Sequence, residues 1–118
     1  MGAFKTRVSI RGREGGNSLA FDAWVDTGAA YTQIPESSLR EIGIEPHDTL
    51  PVFYADGRED ERPIGRAVVA VNGRSEEVLV VFGPDAAEPL LGAHTLQSLL
   101  LLVDSPNERL LPVTRARI

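Results

Sequence analysis

The sequence contains no cysteine, which excludes disulfide bonds and thiolate metal sites and leaves stability to packing, within the chain or shared with a partner. Only two histidines occur, His47 and His94, well separated and a poor zinc set, so no metal or other cofactor is expected. No apolar run is long enough to cross a bilayer. The start, Met1-Gly2-Ala3-Phe4-Lys5, passes directly into a charged, alternating segment and lacks the apolar stretch of a secretory signal. The expectation is a cytoplasmic chain with no membrane partner. Positive charge is in deficit: twelve Lys and Arg stand against seventeen Asp and Glu, for a net charge of −5. The arginines are scattered along the chain and form no basic face, which argues against nucleic acid as a partner. Gly12, Gly15 and Gly16 read as a turn between strands, not as a phosphate-cradling loop, so nucleotide cofactors are not indicated.

The 118 residues that remain to be explained are the size of one domain, with no linker, repeat or low-complexity tract dividing them, and residues 1–118 read as a single unit. Apolar residues alternate over Phe4 to Ile10 and again over Leu19 to Val25, the period of a strand, with Gly12 to Asn17 as the turn of an opening hairpin. Asp26-Thr27-Gly28 follows the second strand at once, and a short apolar return covers Tyr31 to Ile34. Pro35 suits a first helical position, Glu36 to Ile42 carries Leu39 and Ile42 at helical spacing, and Gly43 stops the helix. Residues 45 to 66 are rich in charge, Gly and Pro and read as a protruding hairpin turning at Asp56-Gly57. Asn72-Gly73 between Val68 to Val71 and Val78 to Phe82 predicts a hairpin with a type I′ turn. Leu90-Leu91-Gly92 leads into a helical stretch, Ala93 to Leu100, with Leu96, Leu99 and Leu100 on one side. Leu101 to Val103 reads as a buried strand, Ser105-Pro106-Asn107 as a turn, and Leu110 to Val113 as a closing strand. The sum is a mostly β chain of about seven strands and two short helices.

Asp26-Thr27-Gly28-Ala29, preceded by Phe21-Asp22-Ala23-Trp24-Val25 and followed by Thr32, resembles the active-site signature of the retropepsin-like, retroviral-type aspartic peptidases. Their second motif, two apolar residues and a glycine before a short helix, is matched by Leu90, Leu91 and Gly92 about sixty residues further on. The order of the other strands agrees across nearly the whole chain. The resemblance implies a closed β-barrel of the acid protease fold, a homodimer, and a peptide or protein substrate bound in extended conformation. The physical requirement agrees. Hydrolysing an amide without metal or nucleophilic side chain takes a base for water and an acid for the carbonyl oxygen, and two carboxylates sharing one proton supply both. The chain has one Asp-Thr-Gly, so a two-fold axis beside Asp26 has to bring the second.

The same resemblance gives the neighbours their roles. Thr27 hydrogen-bonds across the dimer axis, Gly28 admits close backbone approach, Leu90 and Leu91 fill the core, and Gly92 packs where the chain passes under the active-site loop. Ala29 stands where two-domain pepsins carry a hydroxyl donor, which implies a working pH above pepsin's. The hairpin from Tyr54 to Glu61, with Ala55, Asp56, Gly57 and Arg58 at its turn, takes the place of the flap that closes over substrate. Retroviral flaps are rich in glycine, whereas this one is rich in charge. Asp22 reads as a solvated strand residue, Asp104 as the holder of a turn or an arginine, His94 as an exposed helix residue, and residues 59 to 61 as a solvated hairpin. Trp24 suits the cleft, the dimer contact or simple packing. Two other functions use the same fold: a catalytically silent dimeric peptide-binding or interaction module, and a purely structural homodimer. Neither needs two carboxylates forced together at an electrostatic cost.

Overall fold

The computed structural model describes residues 4–118; Met1 to Ala3, part of the start read above, lie outside the described residues. Nine strands and two short helices follow one another: β1 (Lys5–Gly12), β2 (Gly15–Val25), β3 (Thr32–Pro35), α1 (Glu36–Glu41), β4 (Asp48–Phe53), β5 (Glu59–Val71), β6 (Arg74–Gly83), β7 (Leu90–Leu91), α2 (Ala93–Ser98), β8 (Leu101–Asp104) and β9 (Arg109–Pro112). Seven strands form one sheet in the order β1-β2-β7-β3-β6-β5-β4, and pairing of β1 with β5 closes it into a barrel with β4 outside the ring. β8 and β9 form a separate two-stranded sheet. This is the mostly β, closed-barrel architecture expected from the sequence.

The alternation that marks the strands also makes the core. Val8 and Ile10, Ala23 and Val25, Val69 and Val71, and Val78, Val80 and Phe82 turn inward and are buried, with Leu39, Leu91, Leu96 and Leu99 closing the ends. Burying one such side chain contributes roughly 1.5–3 kcal/mol. The parallel steps, β2 with β7 and β3 with β6, lie at the centre of the sheet.

β5 serves two partners in succession. Its first half pairs with β4, from Phe53↔Glu59 to Asp48↔Ile64, and its second half with β1, through Ser9↔Ala70 to Arg11↔Val68. The exchange happens at Gly65, where an added Cβ would lie 2.9 Å from the Glu45 carbonyl oxygen and 3.0 Å from the Phe82 ring. Only a residue without a side chain lets the loop before β4 cross there.

Several details depart from the sequence reading. The opening turn is shorter than Gly12 to Asn17, because Gly15 and Gly16, both at φ 88°, let pairing continue through a register shift almost to the turn. Strand Glu59–Val71 is continuous, where the reading split it between a flap and a later strand; its first residues are exposed, so they carry no apolar alternation. Pro35 precedes α1 with extended ψ of 135° instead of occupying its first position. Leu100 does not share the buried side of α2: it is left-handed at φ 58°, 51% exposed, and turns the chain into β8. Within β8 only Leu101 is buried, while Leu102 is 54% exposed, since a two-stranded sheet covers one face only. The Asn72-Gly73 turn has both residues at positive φ, 52° and 81°, as type I′ requires.

Candidate active site

Asp26 leaves β2 at its C-terminal end, half-buried, and its loop is held almost entirely by backbone. The Asp26 N–H donates to the Leu91 carbonyl at 3.0 Å, and the Asp26 carbonyl accepts the Ala29 N–H at 3.2 Å. Farther round the loop, the carbonyls of Ala29 and Ala30 accept N–H groups from Ala93 and His94 at 2.8 and 2.9 Å. The first turn of α2, whose N–H groups have no partner within the helix, thus spends them on the loop. The carboxylate itself is oriented locally: Oδ1 accepts the Gly28 N–H at 2.9 Å.

Beneath the loop, Gly92 touches backbone. A Cβ there would sit 2.5 Å from the carbonyl carbon and oxygen of Tyr31, a separation that no side chain permits. The Gly92 N–H donates to Thr32 Oγ1 at 3.1 Å, and the Thr32 hydroxyl donates to Thr95 Oγ1 at 2.6 Å. These two threonines are the buried polar side chains among the described residues, and each satisfies the other. Gly92 thus packs on the Tyr31 backbone beneath the loop, and Leu91 is fully buried beside it. Leu90 differs from expectation: it is half-buried and faces a cleft, because one-residue alternation sends it to the side opposite Leu91.

That cleft, about 460 Å³, has Asp26, Ala29 and Leu90 in its floor, Gln33 and Val81 in its wall, and Leu50, Val52 and Tyr54 of the β4 arm overhead. The β4–β5 hairpin turns at residues 54 to 58, where the Tyr54 and Arg58 backbones bond to each other and the Gly57 N–H donates to the Tyr54 carbonyl. Side chains brace it. The Tyr54 hydroxyl donates to Asp60 at 2.7 Å, Arg58 Nε donates to Asp56 at 2.7 Å, and the Arg58 guanidinium lies 4.7 Å from the Tyr54 ring centre. The Tyr54 hydroxyl and then the Glu61 N–H hold the Asp60 carboxyl below the usual aspartate value, and Arg58 does the same for Asp56. Partial burial, then the Asp60 carboxylate, pushes the Tyr54 phenol up. At the root, Arg62 Nε donates to the Phe82 carbonyl at 2.8 Å and its guanidinium reaches Glu36 at 3.1 Å, tying the hairpin to β6 and α1.

The structure brings Asp26, Gly28, Ala29, Leu90, Tyr54 and Ala55 to one cleft, with Leu91 and Gly92 under it. Thr27 is exposed, and Asp56, Gly57 and Arg58 lie at the outer turn, away from the floor. The sequence reading missed Gln33, Val81 and the Leu50–Val52 arm. Gln33 was detectable as the polar residue between inward-facing Thr32 and Ile34. Trp24 neither fills the core nor lines this cleft: it is 38% exposed under the Lys5 ammonium, and its indole N–H donates to Glu88. Asp104 holds Arg109 and Asn107, as expected, and Asp22 is an exposed partner of Arg7. Among the described residues no three metal-ligating side chains converge.

A carboxylate on a strand-end loop, laced from below by a Leu-Leu-Gly segment and roofed by a β-hairpin, defines a retropepsin-like aspartic protease domain of the acid protease fold. The chain belongs to the family described as "gag-polyprotein putative aspartyl protease", which matches residues 14–98. Among solved structures, the fold is similar to that of the simian foamy virus (mac) protease, with a TM-score of 0.58 and 23% identity over 80% of this chain and 93% of that one. It is similar also to the EIAV protease complexed with the inhibitor HBY-793, with a TM-score of 0.58 and 20% identity over 80% and 86% of the two chains. The retroviral protease-like domain of Ddi1 from Leishmania major covers more, 96% of this chain and 91% of its own, at a TM-score of 0.57 and 18% identity. No curated protein matches the sequence.

Proposed function

We propose that the chain is an aspartic endopeptidase that works as a homodimer, each subunit contributing Asp26 to a pair of carboxylates that share one proton. The observation that supports this most is the placing of Asp26: a half-buried carboxylate on a loop anchored by four backbone hydrogen bonds, in the floor of a cleft with a hairpin over it. One carboxylate takes a proton from water while the protonated one hydrogen-bonds the scissile carbonyl and gives its proton to the developing oxyanion. Anchoring through backbone keeps the two groups from drifting apart to relieve their repulsion. An extended peptide fits between the floor and the β4 arm, offering its main chain to the hairpin.

The test is Asp26→Asn, which keeps the shape and removes both base and shared acid. Hydrolysis of a fluorogenic peptide library by the wild type, inhibition by a statine-type transition-state analogue, and loss of activity by at least a thousandfold in the variant are the expected results. Variant activity close to wild type would remove Asp26 from the mechanism. A wild type that binds peptides without cleaving any would instead support the peptide-binding module.

A further inference from the structure

Gln33 is placed as a specificity determinant by three independent features of its surroundings. It lies on β3 between the buried Thr32 and Ile34, so alternation turns its side chain to the cleft that holds Asp26. Its neighbours across the sheet are Val81 on one side and Leu90 on the other, both apolar and both in the same cleft. Room for it is made by Gly83: a Cβ there would lie 2.5 Å from Gln33 Cγ, 2.7 Å from Cδ and 3.1 Å from Oε1. The stem and the amide carbon thus lie flat on a residue that has no side chain.

The carboxamide takes part in none of the side-chain hydrogen bonds found among the described residues, in contrast to the fully paired Thr32 and Thr95 a residue or two away in space. It is half-buried, so water reaches it while the cleft is open. A substrate side chain that displaces this water has to replace its hydrogen bonds, or the amide is left unpaired in an apolar wall. An amide both donates and accepts, and its cross-strand neighbours Val81 and Leu90 are apolar, so the complement is a neutral side chain with a hydroxyl or amide end; a charged one loses its hydration against Val81 and Leu90.

Resting on the peptidase reading above, we propose that Gln33 selects peptides with Asn, Gln, Ser or Thr at the position facing β3, over their apolar isosteres. The experiment uses peptide sets that differ only by Gln or Met, Asn or Leu, and Thr or Val, scanned through the positions on either side of the cleavage site. Affinities are measured on the intact Asp26→Asn chain and cleavage on the wild type. At one position the polar member binds about tenfold more tightly. In Gln33→Met and Gln33→Leu, checked for folding by their melting curves, the preference reverses. Equal or better binding of the apolar member, an unchanged preference in the folded variants, or no binding of any peptide overturns the proposal. The binding preference in a protein whose wild type cleaves nothing upholds the role of Gln33 and sinks the peptidase activity alone.

Discussion

Thr32 and Thr95 share one hydrogen bond, yet their removal has unequal consequences. Thr32 Oγ1 also accepts the Gly92 N–H, and Gly92 is pressed against Tyr31 with no room for water. Thr32→Val strands a buried backbone donor at a cost of about 1–3 kcal/mol. Thr95→Val strands only a hydroxyl that can turn, at about 1 kcal/mol. Denaturant unfolding of the two variants and the double variant checks this: the double should cost little more than Thr32→Val alone. Equal single effects would mean that Thr32 does not support Gly92. At this scale the sequence was partly legible. Asp26 and Gly92 announce themselves because few residue types can do their work, a carboxylate at a strand end and a residue without Cβ at a backbone crossing. Gln33 gives a weaker sign, a polar residue between two inward-facing ones, which marks the face it takes but not the cleft or the Gly83 backbone it packs on.

Among the elements, the β4–β5 hairpin departs most from the glycine-rich flaps the family resemblance implies. Its brace of Tyr54, Asp60, Asp56 and Arg58 is electrostatic, so it has a pH range. Asp60 has its folded pKa lowered, chiefly by the Tyr54 hydroxyl, so the stabilisation is complete above the unfolded carboxylate value of about 4 and is lost as pH falls through the lowered value. The hairpin therefore stays braced through the weakly acidic and neutral range and loosens only in stronger acid. Tyr54→Phe should raise the Asp60 midpoint toward the ordinary value in an NMR titration and speed amide exchange across residues 54 to 59 at pH 6. An unmoved midpoint would show that the hydroxyl does not hold Asp60. Elements with local signals, such as the Asn72-Gly73 hairpin, were readable from sequence because the turn chemistry lies within the hairpin itself. The two-residue β7 was not readable as a strand: it is too short to show a period, and its existence depends on partners far along the chain.

For the whole molecule, the proposed sharing of Asp26 between two subunits makes activity a property of the pair. Specific activity should fall on dilution in parallel with dissociation followed by analytical ultracentrifugation, because a separated subunit lacks half of the acid–base machinery. Constant specific activity in a strictly monomeric sample would defeat the shared site. A mostly β chain was foreseeable from strand count and alternation, and the closed barrel only from the family resemblance. The way β5 divides between β4 and β1 was not, since it depends on a backbone crossing at Gly65 that no periodicity records.

The ties that hold the Asp26 loop also set an order of events in biosynthesis. Leu91, Ala93 and His94, which anchor that loop, and Gly92, which bonds Thr32 from 60 residues away, are all made long after the Asp-Thr-Gly triplet itself. Closing so wide a loop is slow compared with forming the local hairpins. A growing polypeptide therefore displays its signature residues well before the segment that organises them has emerged from the ribosome. Through that interval the aspartate is one more carboxylate on a loose strand end, and a chain stalled ahead of Gly92 carries the motif without the means to use it.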